Sequence, residues 1–318
     1  MTKNKEKVLV LGANGFIGSH TTDLLVSSGY LVRAFDRFNG GAKPKFRKSP
    51  EIEVINGDFN SKDDLKKAVA GIDYIIHLIS TTNPATAEEN PLLDIDTNIR
   101  SSVELFLRCV EAGGAKRIVF ASSGGSVYGE NDYGRPIKET DPVWPISPYG
   151  IGKLTIENYL HYFDRVHSQR YTVFRIANPY GDRQSIAHKQ GVIPIFLNKI
   201  INKEPVTVFG NGSMVRDYIY IKDVAKIIVA SLGKNLKHSV YNLGSGCGYS
   251  VNEIVSEIEK VTNEKAIIKH EPTPLTFVQS SILDTARLKA EFPDFKKTDL
   301  HTGIKYTYNN LNTKRLTP

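Results

Sequence analysis

The chain alternates short apolar runs with longer stretches in which apolar residues recur every three or four positions. Runs at residues 8–11, 31–36, 53–56, 74–78, 117–121 and 171–176 have the length and β-branched content of strands. Between them, residues 17–28, 62–70, 94–111 and 150–166 read as helices. The strands are nearly all apolar, so burial on both faces is expected. Strand–helix alternation of this kind predicts an α/β fold built on a doubly wound parallel sheet. After Asn178-Pro-Tyr-Gly181 the rhythm loosens. Helices at 194–203, 221–232 and 251–262, with strands at 206–209, 240–243 and 266–269, suggest a smaller α/β lobe over the carboxyl ends of that sheet. Residues 1–178 are expected to form the main domain, with later segments returning to it, and residues 179–318 mainly the smaller lobe. No repeat or low-complexity tract is visible, and the chain is expected to fray from about Asn312.

Composition narrows the classes. The 318 residues are 40% hydrophobic and 24% charged, enough for a sizeable core. The formal net charge of +7 suits an anionic small substrate or a nearby anionic membrane. The densest basic run, Lys43-Pro-Lys45-Phe-Arg47-Lys48, is short and lacks interleaved stacking aromatics, which argues against nucleic acid as a partner. Cys109 and Cys247 have no metal-ligand spacing and read as reduced thiols. The N-terminal Met-Thr-Lys-Asn-Lys-Glu-Lys lacks an apolar signal core, and no run of 18 apolar residues exists. A cytoplasmic protein without a membrane span or a metal is expected.

Chemistry enters with Lys7-Val-Leu-Val-Leu-Gly12-Ala-Asn-Gly15-Phe-Ile-Gly18, a strand followed by glycines at three-residue spacing and a helix start. Backbone N–H groups and the helix dipole of such a turn hold a pyrophosphate, and the glycines admit it closely. The spacing also fits a plain strand-to-helix turn. Asp36 ends the second strand, where a carboxylate binds both ribose hydroxyls of NAD; otherwise it opens the Asn39-Gly40-Gly41 loop. Arg37 follows and could touch a 2′-phosphate. Asp58 after the third strand could accept from an adenine amino group, or cap the next helix. Tyr149 and Lys153 share a helix face at i,i+4, where an ammonium and a nicotinamide cation would favour the phenolate. Ser122-Ser123-Gly124-Gly125 follows an apolar strand and could offer a hydroxyl to a reacting sugar oxygen.

Taken together these pieces resemble the extended short-chain dehydrogenase/reductases, in particular the NAD-dependent epimerase/dehydratase family that acts on nucleotide sugars. The matching residues also include Asn98, Val127-Tyr128-Gly129, Ser147-Pro148, Arg175-x-x-Asn178, Val215-Arg216-Asp217-Tyr218 and Tyr241-Asn242-Leu243-Gly244. The resemblance implies a Rossmann-type domain, NAD as cofactor, a nucleotide-sugar substrate and a homodimer. It makes Tyr149 the acid/base at the sugar 4-hydroxyl, with Lys153 on the nicotinamide ribose and Ser123 the catalytic hydroxyl. Ser122 and Ser126 are weaker matches. Cofactor contacts would come from Gly12, Asn14, Gly15, Phe16, Ile17, Gly18, Asp36, Arg37, Asp58, Phe59, Leu78 and Asn98, besides Tyr149 and Lys153. Substrate contacts would come from Ser123, Asn178, Val192, Arg216 and Ser281. Arg216 could alternatively be a surface partner of Asp217. A small residue at 281 leaves room for an N-acetyl group.

The chain departs from the family at Pro274 and Phe277, where an Arg and an Asp often contact the nucleotide. A lipid-diphosphate carrier in place of the nucleotide therefore also stays open. Gly124 and Gly125 stand where 4,6-dehydratases carry an acid pair, so dehydratase and decarboxylase readings recede. The expected reaction is C4 epimerisation of a nucleotide sugar, UDP-glucose/galactose or the N-acetyl forms. A 4-keto reductase is the alternative, and a non-catalytic NAD sensor the reading from another class.

Overall fold

A computed structural model describes residues 5–38, 43–130, 133–185, 191–273 and 278–316. The Asn39-Gly40-Gly41 turn, Pro274, Phe277 and the first four residues lie outside the described residues. Seven parallel strands form the main sheet. They are β1 (Lys7–Leu11), β2 (Leu31–Asp36), β3 (Ile52–Asn56), β4 (Tyr74–His77), β5 (Arg117–Ser123), β6 (Tyr171–Ile176) and β10 (Val240–Leu243), in the order β10-β6-β5-β4-β1-β2-β3. The period-two geometry of a strand explains the apolar runs. Val8 and Val10 enter one core with Val119 and Ile228, while Leu9 and Leu11 enter the other with Phe106 and Leu160. Helices α1 (Phe16–Ser27) and α8 (Ile221–Ser231) pack together on the first face. Helices α2 (Lys62–Val69), α5 (Arg100–Glu111) and α6 (Pro148–His167) cover the second.

The strand order reverses between β1 and β4. A doubly wound sheet opens a crevice at such a point, outside the carboxyl ends of its strands.

Three elements differ from the sequence expectation. Strand β10 belongs to the main sheet, pairing Tyr241 with Phe174 of β6 in parallel, rather than to the smaller lobe. The chain returns because Tyr241 and Leu243 bury fully in the first core. The helix expected at 94–111 starts earlier. It is built from α3 (Pro84–Glu89), α4 (Pro91–Asp94), a π-helical turn (Ile95–Ile99) and α5. The C-terminus does not fray at Asn312; helix α11 (Leu300–Leu316) continues past it.

The small lobe has its own core, in which Tyr180, Leu197, Val208, Tyr218, Ile254 and Ile304 are buried. It holds helices α7 (Val192–Ile201) and α9 (Val251–Thr262) and a parallel pair, β8 (Val206–Phe209) with β12 (Ile268–Glu271). Strand β9 (Val215–Tyr220) is its centre, flanked by β7 (Asn178–Tyr180), β11 (Gly248–Ser250) and β13 (Ser280–Ser281).

Candidate active site

The glycine turn is tight and bare. Gly12 adopts φ +84°, and the N–H groups of Gly12 and Ala13 both donate to the Phe35 carbonyl, at 3.0 and 3.2 Å. A Cβ on Gly18 would lie 1.9 Å from the Gly12 carbonyl oxygen, so only glycine lets α1 start this close to β1. No side chain caps α1, and no acidic residue stands in its first turn. Its free N–H groups and positive dipole end therefore face the crevice, as an anion site requires. Phe16 turns its ring edge to His20, and Ile17 packs between the first core and the small-lobe core. Leu78 donates its N–H to the Leu11 carbonyl at 3.0 Å, bringing the end of β4 against Gly12.

Asp36 accepts from the N–H groups of Asn14 (2.8 Å) and Arg37 (2.7 Å). Burial lifts its carboxyl above the ordinary value against those two donors. The Arg37 guanidinium is tied to Asp58 at 2.6 Å. Burial of Asp58 is outweighed by that guanidinium and the Asn60 N–H, so its carboxyl is held low. Asp58 does not cap α2; the Ser61 hydroxyl does, accepting from Asp64 N–H at 3.3 Å. Phe59 points into the second core, 5.1 Å from the His77 ring. Asn98 has its amide fully engaged within the protein. Its Oδ1 accepts from Thr81 N–H and Oγ1, and its Nδ2 donates to Thr82 and Asp94. It ties the loop after β4 to the start of the following helical segment.

Helix α6 opens with Ser147 as N-cap, accepting from Gly150 N–H at 3.2 Å, and Pro148 in the first turn. Tyr149 therefore projects from the first turn and Lys153 from the next. A Cβ on Gly150 would sit 2.6 Å from the Ser126 carbonyl oxygen, so the helix rests directly on the serine loop. The buried Lys153 Nζ donates to the Ala121 carbonyl at 3.1 Å and lies 4.8 Å from the Phe120 ring and 5.6 Å from the Tyr149 ring. Burial pushes the Tyr149 phenol up to about 12, with Ser80 as its hydrogen-bonding neighbour. Burial also pulls Lys153 down to about 8. In the protein by itself burial thus outweighs the ammonium's pull on the phenol, contrary to the simple pair argument.

The serines separate by surroundings. Ser122 is buried and donates to Glu157 at 2.5 Å, and Glu157 in turn holds Arg175 at 2.7 Å. Ser123 and Ser126 are partly exposed and hydrogen-bond each other at 3.1 Å. Ser122 is therefore committed to the interior, while Ser123 remains available. A Cβ on Gly124 would lie 2.5 Å from Leu283 Cδ1 and 3.0 Å from the Arg175 carbonyl, so no acid fits there.

Across the crevice stands the sheet centred on β9. Asn178 is paired in register with Tyr218, and Arg216 with Tyr249 and Ser281, so these side chains share one face. Asn178 Nδ2 donates to the Asp217 carbonyl at 2.9 Å. Asp217 points the other way, into the turn at Ser245 and Gly246, so it is no partner of Arg216. The Arg216 guanidinium meets only the Val215 and Gln279 carbonyls among the described residues, and burial lowers its affinity for its proton. Ser281 is buried, and Val192 starts α7 directly after the Gly191 N-cap. Two residues without an assigned role in the sequence stand out. Tyr218 has a buried hydroxyl with no partner among the described residues, and Asp94 is a buried carboxylate beside α6. Period two from Arg216 could have flagged Tyr218; nothing in the sequence flagged Asp94, because its contact is tertiary.

The chain is similar along nearly its whole length to known proteins. A Methanocaldococcus jannaschii protein whose provisional designation is UDP-glucose 4-epimerase is 35% identical, over 98% of this chain and all of its own. The dTDP-4-dehydro-6-deoxyglucose reductase of Escherichia coli is 33% identical over 99% of this chain and all of its own. The crystal structure of Thermotoga maritima UDP-glucose 4-epimerase with UDP-glucose superposes with a TM-score of 0.90 at 31% identity, covering 97% of this chain and 99% of that one. The sequence profile of the NAD dependent epimerase/dehydratase family matches residues 8–244. With the glycine turn, Asp36 and the Tyr149–Lys153 pair at one switch point, the chain belongs to the NAD dependent epimerase/dehydratase family.

Proposed function

We propose that the protein is an NAD-dependent nucleotide-sugar 4-epimerase. The observation that carries this reading is the seat of Ser123, Tyr149 and Lys153 at the carboxyl end of β5, beside a serine loop with no room for a dehydratase acid at Gly124. The uncapped α1 turn and the Asp36 carboxylate fit the diphosphate and ribose of NAD. Bound there, NAD supplies hydride acceptance and return and a positive charge beside the phenol. Tyr149 takes and gives back the proton of the 4-hydroxyl oxygen, with Ser123 hydrogen-bonding that oxygen. Lys153 keeps an ammonium next to the phenol and would hold the nicotinamide ribose. Arg216 and Asn178 hold the diphosphate of the substrate, since a guanidinium fork matches phosphate oxygens. Small Ser281 accommodates either a hydroxyl or an N-acetyl group.

The test is incubation of the purified protein, without added cofactor, with UDP-glucose, UDP-N-acetylglucosamine and their C4 epimers. Interconversion is the expected result. The 33% identity to a 4-keto-sugar reductase supports a second reading. In that case only a 4-keto sugar turns over, at the expense of added reduced cofactor.

The family resemblance also implies a homodimer. The outer faces of α4, the π turn, α5 and α6 expose Leu92, Ile95, Leu107, Tyr159 and Val166, supporting a dimer packed through these helices. Sedimentation at twice the chain mass is expected. Among the described residues no helix is long and apolar enough to cross a membrane. Both cysteines are free thiols, which supports a cytoplasmic placement.

A further inference from the structure

We propose that Asp94 is a positioning residue, a buried carboxylate seated against the catalytic helix that holds the protons of Tyr149 and Lys153 in place; this rests on the epimerase reading above. Asp94 ends α4 and is 3% exposed. Its Oδ1 accepts from neutral groups, the Thr82 hydroxyl and, at 2.8 Å, the Asn98 amide. Among the described residues no Lys, Arg or His forms an ion pair with it. The other carboxylate near the pair, Glu157, is different, because the Arg175 guanidinium balances its charge at 2.7 Å. Asp94 is thus the carboxylate near the pair that has no ion-pair partner among the described residues.

Its position is built into the helix. A Cβ on Gly152 would lie 2.0 Å from Asp94 Oδ2. Gly152 adjoins Lys153 and stands one turn from Tyr149, so the bare backbone there admits the carboxylate to the turn carrying both groups. The ionisable groups facing the pair can be named by element. They are His77 of β4, Glu157 of α6 and Asp94 of α4, with the Ser80 hydroxyl and the Ala121 carbonyl as neutral neighbours. His77 is neutral across the working range, because burial holds it at about 3. Burial drives the Lys153 charge off, and Asp94 is the foremost opposing influence; at Tyr149 Asp94 acts with burial to keep the phenol protonated. A residue that removes a proton and later returns it benefits from such a neighbour. The phenol gives up its proton only when further positive charge arrives, while the ammonium stays charged in an apolar seat.

The test is Asp94→Asn, which keeps the shape and the acceptor that Thr82 and Asn98 use. Phenolate absorbance of the NAD-loaded protein is titrated, with Tyr149→Phe as the baseline, and the pH profile of kcat is measured with UDP-glucose. Loss of a neighbouring negative charge lowers both proton affinities, so the phenolate should appear, and both limbs of the profile move, about one pH unit lower. KM should be unchanged. Gly152→Ala displaces the carboxylate without removing it, and should shift the titration in the same direction by less. The proposal is overturned if the titration of either folded variant superimposes on wild type, or if kcat falls evenly at every pH. Because the phenolate titration needs no turnover, failure of the epimerase reading would leave it readable.

Discussion

A Cβ on Gly18 would meet the Gly12 carbonyl oxygen at 1.9 Å, the Gly12 carbonyl carbon at 2.8 Å and Ala13 Cα at 2.9 Å. The closest of these is about 1.5 Å short of ordinary contact, which begins near 3.4 Å. All three atoms are backbone, so no side-chain rotation relieves the clash, and in Gly18→Ala the start of α1 must move away from β1. Overpacking of this kind costs about 3 kcal/mol, the upper end of the usual range, which lowers Tm by several degrees. The cofactor loses more. Hydrogen bonds to a charged group contribute about 1.5–3 kcal/mol each, and a displacement of this size removes about two from the diphosphate. NAD should then bind roughly 100- to 10,000-fold more weakly. The assay is the NAD released on denaturing the purified variant, alongside thermal unfolding. Gly29→Ala is the control. It has φ +88° but open space around it, so it should cost about 1 kcal/mol and retain NAD. A Gly18→Ala protein with wild-type NAD content and Tm would refute the reasoning.

Ser122→Ala should destabilise by about 2 kcal/mol, since it removes a buried hydrogen bond to a carboxylate, yet keep kcat, whereas Ser123→Ala should lower kcat at least tenfold with unchanged Tm. Paired unfolding and kinetic measurements decide between them. Arg216→Lys should raise KM about ten- to a hundredfold with little change in kcat or stability, because among the described residues its guanidinium engages only backbone carbonyls; steady-state kinetics check this. His77 is held at about 3 by burial against 6.5 when unfolded, so between these values the unfolded chain binds the extra proton and stability falls as pH drops. From pH 7 to pH 5 the loss is about 2 kcal/mol, and His77→Gln should flatten this part of the urea-unfolding profile.

Periodicity alone determined the α/β class, the first six strands to within a residue or two, and the glycine turn, because these depend on neighbours in the chain. Apolar runs report two-faced burial, and three-residue glycine spacing reports a close helix start, without any long-range information. The Tyr149–Lys153 pair was equally legible, since i,i+4 spacing puts both groups on one helix face. What the sequence left open turned on contacts between distant segments. Strand β10 joins β6 across a gap of more than sixty residues, and a local pattern cannot show which sheet a short strand completes. Ser122 and Ser123 are chemically identical, and only the reach of Glu157 from α6 takes one inside and leaves the other free. Arg216 and Asp217 are neighbours in sequence but face opposite sides of β9, which removed the surface-pair alternative. That the Asn98 amide closes onto Thr81, Thr82 and Asp94 was likewise beyond any local pattern. Asp94 itself carried no signal, because the charge a carboxylate imposes on a distant helix exists only once folding has removed the water between them.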